Sequence, residues 1–197
     1  WYGDPKAFYF KFNKEKTYYS WISNKGDVVI ASYDHNSNHI DSFILKSNFG
    51  SDDHNHPSII MRSDKRILAF YCAHHGKSMH LRISKNPEDI TAWGPDIEIL
   101  KMKGSNYTYP NVFQLKNEHD RIYLFYRGID VQPTFSTSDD GGITWSTEMK
   151  FYQGADRPYC KFESNGKDRI HIIIENGHRA NPHSTFYICY RNGGFYK

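Results

Sequence analysis

Aromatic and β-branched residues alternate with polar ones in short runs along this chain, and each run ends at Asn, Asp, Gly or Pro. A period of two turns alternate side chains toward a core, the pattern of a half-buried strand. It predicts strands near 7–12, 17–23, 28–33 and 39–46, with turns at residues 13–14, 24–27 and 36–38. A second group falls near 58–62, 66–73, 78–84 and 96–102, and a third near 109–115, 121–127, 133–138 and 147–152. A fourth holds strands near 159–163, 169–175 and 184–191, after which residues 192–194 turn and the chain ends as a last strand begins. No long helical periodicity interrupts the series, and no apolar run approaches the roughly 18 residues of a membrane span.

The groups repeat. Asp64–Tyr71 (DKRILAFY) recurs as His119–Tyr126 (HDRIYLFY) and as Lys167–Ile174 (KDRIHIII), with Lys14–Trp21 (KEKTYYSW) as a looser first copy. Lys16, Arg66, Arg121 and Arg169 are spaced by 50, 55 and 48 residues, a period suited to four-stranded propeller blades. Blade boundaries are expected near 1–46, 47–104, 105–153 and 154–197 of a single β-propeller domain. One turn, Ser138–Trp145 (SDDGGITW), has a legible logic. Asp140 is placed to accept N–H groups of the bend, Gly142 to supply positive φ, and Trp145 to cover the loop. Ser84 to Trp93, with Asp89 and Thr91 between, reads as a degenerate second copy.

Composition fits many short strands: 38% hydrophobic, 16% aromatic, 14 Gly and 8 Pro in 197 residues. The formal charge of +3 gives little reason to expect nucleic acid, while a basic balance suits an acidic polysaccharide. Neither nucleic acid nor a membrane is expected as a partner. Cys72, Cys160 and Cys189 cannot all pair and lack the close spacing of a structural zinc site, so a buried thiol at Cys72 or Cys160 is expected, with a disulfide or metal ligand as the alternative. No metal ligands are assigned and no cofactor is expected, with a structural Ca²⁺ or Zn²⁺ left open. The chain opens on Trp1 rather than Met, and a longer parent frame is expected.

In an up-and-down blade, the loop entering the first strand and the loop after the second open on the same side. Asp52, Asp53, His54, Asn55 and His56 enter the second group, and His74 and His75 follow its second strand. Tyr107 and Tyr109 enter the third, and Arg127 ends its second strand. Arg157 and Tyr159 enter the fourth, with His178 and Arg179 after its second strand. Convergence of chemistry-bearing side chains from distant loops is what a site on a rigid scaffold requires. Each has a plainer role available: Asp53 can cap a turn, His56 before Pro57 suits structure, and most of the 15 Tyr must pack in cores.

Residues 52–57 (DDHNHP), 107–111 (YTYPN), 124–128 (LFYRG), the SDDGGITW turn, 157–161 (RPYCK), 166–171 (GKDRIH) and 176–178 (NGH) together resemble the BNR-4 repeat family, whose characteristic turn is the Asp-box. That family includes propeller polysaccharide lyases acting on ulvan and related rhamnose–glucuronate polymers. The resemblance implies an all-β fold of four-stranded antiparallel blades, about four of them present, forming an arc of a larger seven-bladed propeller. A closed four-bladed ring is the alternative. It also implies a secreted or periplasmic protein and β-elimination at a uronate. Carried over by motif, Arg127 neutralises the carboxylate, His54 and His74 bind or act as base, and Tyr109 is acid or base. His75, Tyr107, Arg157, Tyr159 and His178 bind substrate. Tyr107 competes with Tyr109 and His75 with His74 for these roles. A sialidase-type hydrolase, favoured by the three arginines but short of paired carboxylates, and a non-catalytic sugar-binding propeller remain as alternatives.

Overall fold

The computed structural model describes residues 6–101, 106–177, 179 and 181–197. Among these, sixteen strands form four antiparallel sheets of four strands each, every sheet an up-and-down meander in chain order, with no α-helix. No helix of the described residues is long and apolar enough to cross a membrane. The chain divides into two compact units, Trp1–Pro110 and Asn111–Lys197.

The first unit contains β1 (Lys6–Lys11), β2 (Glu15–Ile22), β3 (Val28–Asp34) and β4 (His39–Lys46) in one sheet. Its other sheet comprises β5 (Ser58–Met61), β6 (Ile67–Tyr71), β7 (Met79–Ile83) and β8 (Ile97–Leu100). Strand β2 alternates buried and half-buried positions, and β6 is buried throughout, as a strand covered on both faces must be. Tyr18, Ile30 and Leu45 pack with Ile67, Ala69 and Tyr71 in one core, closed by Ile90 and Trp93.

In the other half of the chain, β9 (Thr108–Leu115), which begins just before the boundary, joins β10 (Arg121–Arg127), β11 (Pro133–Ser138) and β12 (Met149–Lys150). The last sheet is β13 (Tyr159–Ser164), β14 (Arg169–Glu175), β15 (Thr185–Arg191) and β16 (Gly194–Tyr196). The repeated motif read from sequence lands on the second strand of all four sheets. The last segment does complete its sheet, with Cys189 opposite Tyr196 and Tyr190 opposite Phe195. The expected strand at 147–152 shrinks to Met149–Lys150, because Ser146 closes the sheet edge with its side chain: its Oγ accepts the Thr137 N–H at 2.9 Å. Cys72 is buried, and all three cysteines are free thiols.

Phe125 sits at the centre of this unit's core, wholly buried. Its ring centroid lies 4.9 Å from Phe162, 5.4 Å from Phe151 and 5.6 Å from Phe135. Removing so enclosed a ring loses its transfer energy and leaves a cavity. Phe125→Ala is therefore expected to lower the unfolding free energy by about 3–5 kcal/mol, measured by urea denaturation.

The turn at 138–145 is bonded as its residue types demand. Asp140 accepts the N–H groups of Ile143 (3.0 Å) and Thr144 (2.9 Å) and the hydroxyls of Ser138 and Thr144. Gly142 takes φ +97°, and its carbonyl accepts the Trp145 indole N–H at 3.1 Å. The 84–93 turn repeats the scheme: Asp89 accepts Thr91 N–H (2.8 Å) and hydroxyl (2.7 Å), and Trp93 Nε1 donates to the Ile90 carbonyl at 2.8 Å.

The bonds from the Thr144 side chain and backbone hold the Asp140 carboxyl down at about 2. A depressed native value stabilises the fold above the unfolded aspartate value near 3.9, and the contribution fades as pH falls toward the native one. Unfolding midpoints measured from pH 6 to pH 2 are therefore expected to drop less steeply below about pH 4 in Asp140→Asn than in the parent. Equal slopes would remove this carboxylate from the acid response.

Candidate active site

The site begins with a one-turn 3₁₀ helix, Asp53–Asn55, in the loop entering β5. Asp52 caps it: its backbone is extended at φ −85°, ψ 133°, and its Oδ1 accepts the His54 N–H at 2.8 Å. Sequence reading put Asp53 forward for capping; the extended backbone at Asp52 is what gives the cap to that residue instead. Asn55 is buried and ties two loops together. Its amide donates to the Gly50 carbonyl at 3.1 Å, and its Oδ1 accepts the His74 N–H at 2.6 Å. The loop after β6 is thereby fixed against the loop before β5. On its other side, the His75 N–H donates to Thr108 Oγ1 at 3.2 Å, and Gly76 bridges Tyr107 through two backbone bonds of 2.8 and 3.2 Å.

These anchors bring four rings into a column. The His54 and His74 imidazoles stack at 3.8 Å with planes 2° apart. His75 stacks on His74 at 4.4 Å, and Tyr109 lies 5.3 Å from His54. His75 and Tyr109 both occupy left-handed backbone, at φ +52° and +60°. Such conformations are costly for side chains of this size and persist where the surroundings enforce them, commonly at functional sites. Both histidine side chains are about a quarter exposed, at 25% and 28%.

One carboxylate serves both imidazoles. Asp52 Oδ1 lies 2.5 Å from His54 Nδ1, and Asp52 Oδ2 lies 2.9 Å from His74 Nδ1. Asp53 Oδ1 is also 2.7 Å from His54 Nδ1. Burial alone would raise the Asp52 carboxyl. The bonds from the His54 N–H and from the His74 and His54 rings outweigh it and hold the group far below the ordinary aspartate value.

Asp52, His54 and His74 also form a group whose donor atoms lie within 4.8 Å of one another, close enough to suggest an ion. The ring geometry does not fit that use. A metal bound to imidazole lies near the ring plane, about 2.0–2.1 Å from the nitrogen for zinc. Two planes 2° from parallel with centroids 3.8 Å apart offer no point that satisfies both rings.

Of the two tyrosines proposed from sequence, Tyr107 is wholly buried, whereas Tyr109 keeps exposed surface and stands against His54. The Tyr107 phenol is buried, and its backbone forms the bridge to Gly76. His75 joins the column beside His74, so both candidates belong to the same cluster.

In the second unit, Arg127 ends β10 buried, 5% exposed, with its guanidinium 5.9 Å over the Tyr159 ring. Gln132 staples the loop leading to Tyr159: it donates to the Asp156 carbonyl at 3.0 Å and accepts the Gly154 N–H at 2.8 Å. Arg157 is exposed within that loop. His178 lies outside the described residues. The sequence places Asp52 and Asn55 in the loop entering the second group without giving either a task, and it does not single out Thr108 or Gln132, because short polar side chains are too common in loops to stand out.

Four-stranded antiparallel meanders repeated along the chain are the blades of a propeller-type protein. The chain belongs to the BNR repeat-containing family, whose model matches residues 16–197. Among solved structures, it is similar to an ulvan lyase of the PL25 polysaccharide lyases bound to -[GlcA(1-4)Rha3S]-, at 19% identity and a TM-score of 0.72 over 95% of this chain and 52% of that one. A second polysaccharide lyase matches at 13% identity, TM-score 0.63, over 93% and 52%. An exo-β-1,3-galactanase from Phanerochaete chrysosporium with β-1,3-galactotriose matches at 12% identity, TM-score 0.61, over 97% and 48%. No curated protein sequence matches the chain. At these identities the likeness establishes the fold alone, and the chain spans about half the length of these three structures.

Proposed function

We propose that this chain belongs to a secreted lyase that cleaves a uronate-bearing, ulvan-like polysaccharide by β-elimination. The observation that carries the reading is the cluster of Tyr109, His54 and His74, in which two imidazoles are held face to face by a shared carboxylate and Tyr109 stands beside His54 on left-handed backbone. Elimination requires removal of the C5 proton, passage of its electron pair into the C4–C5 bond, rupture of C4–O4 and protonation of the departing oxygen. Imidazole and phenol are suited to the two proton transfers. Within the column, a histidine takes the C5 proton and Tyr109 delivers one to O4, or the pair exchange these tasks.

Acidity at C5 depends on neutralising the neighbouring carboxylate, and Arg127 is assigned that task because a guanidinium forks onto a carboxylate and stays charged. Tyr159 and Arg157 are assigned to binding the polymer, and His178 is proposed with them from sequence. Against hydrolysis, Asp52 and Asp53 each direct an oxygen at His54 Nδ1, which leaves neither as a free acid–nucleophile pair.

Incubation with ulvan is expected to raise the ultraviolet absorbance of an unsaturated uronate in step with new reducing ends. Reducing ends without that absorbance would indicate a hydrolase. Binding with neither signal would indicate a sugar-binding module.

A further inference from the structure

We infer that Asp52 is a positioning residue that fixes a proton on Nδ1 of both His54 and His74, so that each imidazole in its neutral form carries its lone pair on Nε2. The deduction needs only the partners. An ionised carboxylate accepts hydrogen bonds and donates none. Asp52 Oδ1 faces His54 Nδ1 at 2.5 Å and Asp52 Oδ2 faces His74 Nδ1 at 2.9 Å, so the proton of each contact sits on nitrogen. Asp53, 2.7 Å from the same His54 nitrogen, imposes the same assignment from a second side. A neutral imidazole with its proton on Nδ1 has its lone pair on Nε2, and the orienting partner is what decides this. Among the described residues, nothing takes the Nε2 atom of either ring.

The two sites are not equivalent. Asp52 Oδ1 is held twice, by the His54 backbone N–H at 2.8 Å and by the His54 ring, and His54 also has Asp53. Among the described residues, Asp52 Oδ2 is the partner recorded at His74 Nδ1. In Asp52→Asn the amide oxygen keeps the Oδ1 position, because the backbone N–H demands an acceptor there. The amide NH₂ then falls opposite His74 Nδ1, and a donor facing that nitrogen forces the His74 proton onto Nε2. The substitution preserves size and cap while reversing one tautomer.

The consequence for turnover rests on the lyase reading; the tautomer does not. With His74 reversed, one of the two basic edges is lost, and loss of the correct histidine tautomer in hydrolase triads lowers kcat on the order of 10⁴-fold. Here kcat on ulvan is expected to fall by at least roughly 100-fold with KM nearly unchanged.

The test is ¹⁵N NMR of the ring nitrogens in the full chain, read at a pH where the spectra show both rings neutral, with His54→Gln and His74→Gln to assign signals. In the neutral rings a protonated Nδ1 and a bare Nε2 are expected, and Asp52→Asn is expected to reverse His74 while leaving His54 as it was. A neutral His74 with its proton on Nε2 in the parent protein would overturn the inference, as would an unchanged His74 in Asp52→Asn. A stoichiometric metal, found by elemental analysis and bound at the Nδ1 atoms, would overturn it too. If the tautomers are as stated but ulvan is untouched, the lyase reading fails and the positioning role of Asp52 stands.

Discussion

Tyr109→Phe is expected to lower kcat/KM on ulvan by roughly 10²–10⁴-fold, the range contributed by one positioned acid–base group. The change removes a single oxygen and keeps the ring that lies 5.3 Å from His54. Phe carries the same backbone penalty as Tyr at φ +60°, so the left-handed conformation and the fold are unaffected on that account. The loss should therefore appear in kcat with little change in KM, and the thermal midpoint should stay near that of the parent. A Tyr109→Phe enzyme of full activity would remove the phenol from the chemistry and leave the histidines to handle both protons.

Arg127 carries the second large effect. Removing one preorganised donor from a developing negative charge costs about 10²–10³-fold in rate, and Arg127→Ala is expected to lose at least that on a uronate polymer. Because Arg127 is buried, truncation also threatens packing, so Arg127→Lys is the companion. Lysine retains the charge but not the planar fork, and its activity should fall between parent and alanine forms. Turnover that survives Arg127→Ala in a folded protein would dismiss the carboxylate role. Equal losses in both variants, with intact folding, would show that the fork rather than the charge is what matters.

Much of this was written in the pattern of the chain. The repeated motif at Asp64–Tyr71, His119–Tyr126 and Lys167–Ile174 identified second strands because burial on both faces produces near-continuous apolar runs, as along β6 and β10. Fourth strands were less legible. Met149–Lys150 is two residues long because the covering turn and the Ser146 side chain occupy what would have been ladder, and no periodicity records that.

At the site, neighbouring like residues defeated the sequence. Asp52 and Asp53 are interchangeable on paper, and only the extended backbone at Asp52 makes it the cap and the shared acceptor. Tyr107 and Tyr109 stand two apart, so strict alternation would put both on one face. The positive φ at Tyr109 breaks that alternation, leaving Tyr107 buried and Tyr109 beside His54. The imidazole stack itself depends on Asn55, a buried amide whose two bonds are a tertiary fact.

The most direct measurement is the mass of the fragments released from a defined ulvan oligosaccharide. Elimination conserves atoms between substrate and products, so the two fragment masses should sum to that of the substrate, one fragment carrying an unsaturated uronate at its non-reducing end. Fragments that together exceed the substrate by one water would contradict the account, because the bond would then have been hydrolysed.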